Sequence, residues 1–198
     1  MGAGPPCGRS IGSPVPRPWC RPVADPRCSC VPRQGEPSVT RESPGHGLEP
    51  APGNSIVVGH DGSYCADYAL DTALGLADQL RAAAVIVIVR AWSIATAPQP
   101  PGWKFGYVSS FDEYAAAVHG ELVRDARMIM DQYPRVAISY RAVHSGTAKS
   151  LIDISRDARM LVVGSRGRGG LAGMLLGSVS DQCVRHAVCP VLVVRPRS

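Results

Sequence analysis

The sequence predicts an α/β protein with an open five-stranded parallel sheet and helices on both faces. Short segments rich in β-branched residues recur five times after residue 53. Segments whose apolar residues repeat every three or four positions, the period of an amphipathic helix, alternate with them. This alternation is typical of strand–helix–strand units, whose right-handed crossovers build a doubly wound sheet of the Rossmann-like type.

The strand candidates are short and rich in valine and isoleucine, residues that suit strands buried on both faces. They cover residues 56–59, 85–89, 136–140, 160–163 and 191–194. Ligands of doubly wound sheets bind beyond the carboxyl ends of the strands. The residues that follow each strand are therefore the candidates for a functional site.

Four helices are predicted between the strands. The first follows Ser63, whose hydroxyl suits an N-cap, and its alanines and leucines keep helical spacing up to residue 80. The second has the same spacing from Phe111 to residue 129, and Pro134 provides a stop beyond it. The third and fourth are expected to begin at Thr147 and Ser178.

The chain changes character at about residue 52. Twelve of its 18 prolines lie in residues 1–52, where apolar residues show almost no periodicity. Such a segment buries too little apolar surface to offset its ordering entropy, so it is predicted to be a disordered tail. Its four cysteines lack the C-x2-C spacing of a zinc site and are expected to be unligated. Residues 53–198 are predicted to form one nucleotide-binding domain.

Charge and hydropathy argue against nucleic-acid and membrane partners. The net charge is +5, from 21 basic and 16 acidic residues, and these do not cluster into the basic stripe that nucleic-acid binding favours. The longest apolar run has eight residues, whereas a membrane-spanning helix needs about 20. The first thirty residues lack the apolar core of a secretory signal. A cytoplasmic location is expected.

The turn after the fourth strand, residues 164–180, is rich in glycine and ends where a helix begins. Glycines let main-chain amides approach an anion closely, and a helix N-terminus attracts phosphate. Turn geometry alone explains such glycines equally well. The chain has no Gly-Lys pair for a P-loop and no G-x-G-x-x-G after its first strand. An RNA-binding fragment at residues 166–170 remains a minor alternative.

The spacing G-x2-G-x9-G-[ST] is matched by Gly164, Gly167, Gly177 and Ser178. With this motif, the segments Val-Gly-His-Asp-Gly-Ser and Cys-Pro-Val-Leu-Val-Val-Arg make the chain resemble the universal stress protein family across residues 55–195. The resemblance implies bound ATP, with Mg²⁺ carried on its phosphates. It also implies a homodimer, which an apolar terminal strand at 191–194 independently favours because a partner would cover its exposed edge.

The resemblance also implies which residues bind the nucleotide. The adenine is expected near Asp61 and the main chain of Ala91, and the glycine-rich turn is expected along the ribose and phosphates. Amides near Gly177 and the hydroxyls of Ser178 and Ser180 are expected to hold the phosphates. The complete set is Asp61, Ala91, Gly164, Ser165, Arg166, Gly167, Arg168, Gly177, Ser178, Val179 and Ser180.

Several positions near this site have simpler interpretations. His60 and Arg90 depart from the family's common residues, and Arg90 is interpreted as a solvated strand end. Asp61 also suits a turn residue ahead of the first helix. Thr147 and Lys149 are interpreted as a helix cap and a surface lysine.

Groups that bind phosphate outnumber groups that could catalyse its transfer. The first hypothesis is therefore an ATP-binding protein that acts as a nucleotide-dependent regulatory module in a stress response, with no catalytic residue assigned. A weak ATPase or phosphotransferase, in which Asp61 holds a metal ion, is the second. The third is an interaction protein that binds no nucleotide. The cysteines of the domain have no partner base and are expected to be small buried residues.

Overall fold

A computed structural model of the chain describes residues 47–80, 84–100, 109–169 and 175–196. It confirms the predicted fold class: five parallel strands alternate with four helices. In chain order the elements are β1 (Ser55–Gly59), α1 (Tyr64–Gln79), β2 (Val85–Trp92), α2 (Phe111–Met130), β3 (Ala137–His144), α3 (Thr147–Ile154), β4 (Met160–Gly164), α4 (Ser178–His186) and β5 (Val191–Val194).

The strand order in the sheet is β3-β2-β1-β4-β5. From β1 the chain first winds outward through β2 and β3, then returns to pair β4 with β1, where Ile56 lies opposite Met160. The winding direction therefore reverses between β1 and β4. In open α/β sheets this switch point leaves a crevice beyond the carboxyl ends of the two strands, where ligands bind.

Two apolar cores cover the faces of the sheet, because alternate strand residues point to opposite sides. Ile56 and Val58 pack with residues of α1 and α2. Val57 lies on the other face, where it packs with Leu151 of α3 and Cys183 of α4. The central strand is thus buried on both sides, and its position is fixed relative to all four helices.

The predicted helix starts are confirmed by their caps. Ser63 is the N-cap of α1, and its hydroxyl accepts a hydrogen bond from the Ala66 amide. Ser110 and Glu113 form a reciprocal capping box at the start of α2. By contrast, α4 begins at Ser178 after Gly177, and no side chain of the described residues caps its first turn.

Strands β2 and β3 extend beyond the residues that the β-branched pattern predicts. Arg90 and Ala91 interrupt the valine and isoleucine run, yet the ladder continues with Arg90 opposite Ala142 and Ala91 opposite Val143. The extension depends on main-chain pairing with β3 and not on the side chains. As a result, Ala91 lies inside a strand that is paired only on its β3 side.

Residues 48–51, which the sequence assigns to the tail, pack against the domain. Ala51 is 1% exposed, and its amide donates to the Ile154 carbonyl at 2.7 Å. Leu48 packs against the same core, and Arg141 donates to the Glu49 carbonyl. The predicted tail and its four cysteines otherwise lie outside the described residues. Within the described ranges, no helix is long and apolar enough to cross a membrane.

Candidate functional site

A cavity of about 460 Å³ opens at the switch point of the sheet, beside the start of α4. Ten of the eleven residues expected to bind a nucleotide line it: Asp61, Ala91, Gly164, Arg166, Gly167, Arg168, Gly177, Ser178, Val179 and Ser180. Ser165 is the exception, since it is 3% exposed and lies outside the lining. The fold thus brings together residues from β1, β2 and the turn after β4.

The N-terminus of α4 supplies unpaired hydrogen-bond donors to this cavity. The amides of Ser178, Val179 and Ser180 belong to the first turn, where a helix offers no carbonyl partner. Within the described part of the chain, nothing else accepts from them. Their N–H groups and the positive end of the helix dipole form an anion-binding arrangement.

Other polar groups of the glycine-rich turn make hydrogen bonds within the protein that stabilise the turn. The Gly177 amide donates to the Ser165 carbonyl at 2.8 Å, so it is not an unpaired donor. The Ser180 hydroxyl donates to the carbonyls of Gly164, at 2.9 Å, and Ser165, at 3.3 Å. The Ser165 amide in turn donates to Val194 of β5. These bonds fix the start of α4 against the end of β4.

Two glycines of the turn are required by close approach. A Cβ at Gly164 would lie 2.8 Å from the main-chain carbonyl of Cys65 in α1. A Cβ at Gly167 would collide with the Asp61 carboxylate. Glycine at these positions lets the turn pack directly against α1 and the end of β1.

Asp61 joins the first turn to the glycine-rich turn. Its Oδ1 accepts from the Ser63 amide at 3.0 Å, and its Oδ2 accepts from the Arg168 amide at 2.9 Å. Burial raises the pKa of this carboxyl, but the hydrogen bonds from Ser63 and Arg168 outweigh burial and hold the pKa below its ordinary value. Asp61 is therefore an ionised acceptor that fixes the turn, as its turn interpretation predicts. It also lines the cavity, and its contact with a ligand stays a prediction.

The cavity lining also includes Ala91 of β2, whose main chain is free on one side. Gly59 lies opposite Val89, and the His60 amide donates to the Val89 carbonyl. In a parallel ladder every second residue bonds toward the same neighbour, so the N–H and C=O of Ala91 also face the β1 side. Because β1 ends at Gly59, no strand pairs with them there. A donor and an acceptor are thus exposed side by side.

Sequence reasoning did not find the apolar wall of the cavity. Five of its side chains are Ala66, Val89, Leu151, Val163 and Leu176. Their spacing signals only strands or helices, and nothing in it separates a cavity wall from a core. Thr147 also lines the cavity, and the N-cap of α3 is Gly146 instead. Lys149 is exposed as expected and pairs with Asp153.

Arg90 is not a solvated strand end: it is 7% exposed and bonded on several sides. Its Nε donates to the His60 carbonyl at 3.0 Å, and its Nη2 lies 3.1 Å from His60 Nδ1 and 2.7 Å from Asp125 Oδ2. The His60 ring, 2% exposed, reaches Asp67 through Nε2 at 3.0 Å. A guanidinium only donates, so His60 Nδ1 accepts and the ring proton sits on Nε2.

Burial and the Arg90 charge lower the pKa of His60, and these two effects outweigh the opposing pull of Asp67. The ring is therefore neutral near pH 7. Gly62, with a φ of +79°, adjoins this cluster. A Cβ there would collide with Arg168 Nη2 and lie 2.9 Å from Asp125 Oδ2, which explains the glycine.

The described residues contain no group of three or more His, Cys, Asp or Glu side chains able to hold a metal ion. Both oxygens of Asp61 already accept an amide. The described part of the cavity lining therefore contains no such metal-binding group.

Comparison with known proteins identifies the family. A sequence profile of the universal stress protein family matches residues 54–195. A universal stress protein of Mycobacterium tuberculosis is 39% identical over 153 residues, covering 70% of this chain and 47% of the relative. Another from the same organism is 36% identical over 140 residues, covering 71% and 45%. The chain spans about half the length of the curated relatives it matches.

Solved structures show the same fold. UspA from Lactobacillus plantarum superposes with a TM-score of 0.55 at 19% identity, covering 73% of this chain and 99% of that one. A universal stress protein in complex with cAMP gives a TM-score of 0.53 at 26% identity, covering 72% and 97%. The profile match spans most of the chain and agrees with the fold and the motif spacing. The chain belongs to the universal stress protein family.

Proposed function

We propose that this protein binds ATP or a related adenine nucleotide in the switch-point cavity and acts as a nucleotide-dependent regulatory module. The observation that carries the proposal is the pairing of two sets of main-chain groups in one cavity. Unpaired amides of α4 lie at one end, and the unpaired donor and acceptor of Ala91 lie at the other.

The two ends match the two ends of a nucleotide. Phosphates would accept from the first-turn amides of α4, and the exposed guanidiniums of Arg166 and Arg168 would add positive charge nearby. The base would bind edge-on to Ala91, since the N–H and C=O of one residue complement adenine N1 and N6. The apolar wall would pack against the ring faces. The cAMP complex of a relative supports an adenine nucleotide as the ligand class.

Mg²⁺ would enter with the phosphates. It commonly keeps several waters and is bound through substrate phosphates with few protein ligands, so the proposal requires no metal cage in the protein. When bound, the ion would neutralise phosphate charge.

Binding is better supported than turnover. A phosphotransferase needs a group that positions water or takes a proton. Asp61 is the acidic side chain in the cavity lining, and its two oxygens accept amides that hold the turns in place. Its lowered pKa also makes it a poor base. An ATPase therefore remains the second hypothesis, and a nucleotide-free interaction protein the third.

The test uses two variants at the first residue of α4. Proline is well tolerated at this position, so Ser178→Pro removes one unpaired amide and leaves the Gly177–Ser165 bond intact. Ser178→Ala removes the same hydroxyl and keeps the amide. We expect wild-type protein to bind ATP in calorimetry and Ser178→Pro to bind about ten-fold or more weakly than Ser178→Ala, the effect of one hydrogen bond to a charged group.

Equal affinities of the two variants, with equal melting temperatures, would remove the α4 amides from the proposal. Absence of ATP binding by the wild type at millimolar concentration would favour the interaction-protein hypothesis. Mass spectrometry of the small molecule released on denaturation would identify the nucleotide directly. Steady phosphate release that Asp61→Ala abolishes, with affinity retained, would favour the ATPase.

We also propose a homodimer through β5, which lies at the edge of the sheet. The carbonyls of Pro190 and Val194 accept from the β4 side, so the alternate residue Val193 directs its main chain outward. Val193→Pro removes an outward amide and spares the β4 ladder. Light scattering should show a dimer for the wild type and a monomer for this variant. A cytoplasmic location and the absence of nucleic-acid partners stay predictions.

A further inference from the structure

The free main chain of Ala91 needs an explanation, because the neighbouring strand is paired with β2 up to the rung before it. The β1–β2 ladder runs in register through Gly59 and Val89, and the His60 amide still donates to Val89. One rung further, the regular parallel pattern would join the Ala91 amide to the His60 carbonyl. That rung is missing among the described residues, although both of its residues are present.

The His60 carbonyl is bound by the Arg90 side chain instead. Arg90 Nε donates to this oxygen at 3.0 Å, whereas the Ala91 amide does not. The same guanidinium donates through Nη2 to His60 Nδ1 at 3.1 Å. Two adjacent donors therefore hold the carbonyl and the ring of one residue, which is the fork geometry that only arginine provides.

Acidic side chains of α1 and α2 hold the Arg90 guanidinium and the His60 ring in place. Asp125 of α2 accepts from Arg90 Nη2 at 2.7 Å, and Glu121 lies 3.9 Å from Nη1. Nη1 itself has no hydrogen-bond partner within the described residues, so the ion pairs and not a full set of bonds hold the buried charge. Asp67 of α1 accepts the proton of His60 Nε2. Contacts from α1 and α2 thus keep this carbonyl turned toward Arg90.

We propose that Arg90 is a positioning residue that keeps the Ala91 main chain free to bind the nucleobase, because it holds the His60 carbonyl out of the β1–β2 ladder. The role in base binding rests on the proposed function, whereas the effect on the ladder does not. Arg90 touches no ligand in this scheme: it acts only through His60.

The first measurement needs no nucleotide. Amide hydrogen exchange is measured by NMR for the wild type and for Arg90→Met and Arg90→Lys. Neither variant has a donor at the Nε position. Release of the His60 carbonyl should let the Ala91 amide pair with it, and the exchange of that amide should slow about ten-fold or more, as expected for one new hydrogen bond. Arg124→Met is the matched control, since Arg124 also contacts Glu121 but its side chain is 71% exposed.

Unchanged exchange of the Ala91 amide in both folded Arg90 variants would overturn the proposal. If Arg90→Met does not fold, Arg90→Lys, which keeps the charge near Asp125, provides the comparison. A slower exchange in the Arg124→Met control as well would also overturn it, because the effect would then be general to α2.

The second measurement separates the base from the phosphates. We expect the Arg90 variants to bind ATP about ten-fold more weakly, the effect of one lost hydrogen bond, and to bind inorganic tripolyphosphate as the wild type does. Equal weakening of both ligands would refute a role at the base. If the Ala91 amide exchanges more slowly in the Arg90 variants but the wild type binds neither ligand, the effect of Arg90 on the ladder stands and the proposed function fails.

Discussion

The glycines of the motif should differ in what they do, and Gly164 and Gly177 provide the sharpest contrast. A Cβ at Gly164 would lie 2.8 Å from the carbonyl carbon and oxygen of Cys65, which are main-chain atoms of α1. The corresponding Cβ at Gly177 would lie 3.5 Å from its nearest neighbour, the Arg166 Cα, in ordinary contact. Gly164→Ala should therefore destabilise the fold, and Gly177→Ala should not.

The magnitudes follow from these distances. Relief of the Gly164 clash requires α1 to move from β4, and overpacking of this kind typically costs about 1–3 kcal/mol. For a domain of this size that corresponds to a melting temperature about 2–12 °C lower. Gly177 has φ −75° and ψ 161°, which alanine adopts readily. Its substitution should change the free energy of unfolding by less than about 0.5 kcal/mol.

Thermal and urea unfolding of the two alanine variants, monitored by circular dichroism, provide the assay. A third variant, Gly177→Leu, places a larger side chain at the cavity lining and should weaken ATP binding more than it lowers the melting temperature. Equal destabilisation by the two alanines would refute the packing argument. Unchanged nucleotide retention in a folded Gly177→Leu protein would refute the assignment of the cavity as the nucleotide site.

Two further predictions concern ionisable groups near the cavity. Asp61→Asn presents a donor to an amide of Ser63 or Arg168, and should destabilise the protein by about 1–3 kcal/mol and weaken ATP binding; unchanged stability in urea unfolding would contradict this. The pKa of His60 is lowered from its ordinary value of 6.5, so the unfolded chain binds more protons and stability should fall as the pH drops below about 6.5. His60→Gln should reduce the pH dependence of the free energy of unfolding between about pH 7 and 5, whereas the control His119→Gln should not. An unchanged pH dependence in His60→Gln would rule out His60 as its source.

The local elements and the glycine motif could be predicted because their signals are local. Ser63 lies beside the helix it caps, and the glycine spacing lies within one turn. The His60–Arg90 contact joins residues 30 positions apart, and no periodicity encodes it. The strand end was predicted from side-chain type, whereas the β2 ladder continues through Ala91 because β3 offers a partner.

Tertiary contacts also decide which polar groups remain free. The sequence predicted donors near Gly177, and the structure moves them by one residue, because the Gly177 amide is bound to Ser165 and the first unpaired amide is that of Ser178. The difference depends on how the turn folds back onto β4. The same glycine and serine positions are compatible with a free Gly177 amide and with one bound to Ser165. The pattern of residue types therefore does not distinguish these two arrangements.

The free polar groups of the candidate site are mainly main-chain groups, and this has a consequence for the sequence requirements of binding. Amides of α4 and the main chain of Ala91 exist whatever the side chains are, so affinity should depend on residues that set backbone geometry. Glycine at 164 and 167, Asp61 and Arg90 are such residues, since each controls where a turn or strand end lies. Catalysis, in contrast, needs side chains free to accept or donate a proton. Under the proposed function, a site in which the acidic side chain holds the backbone in place would retain a nucleotide better than it would hydrolyse it.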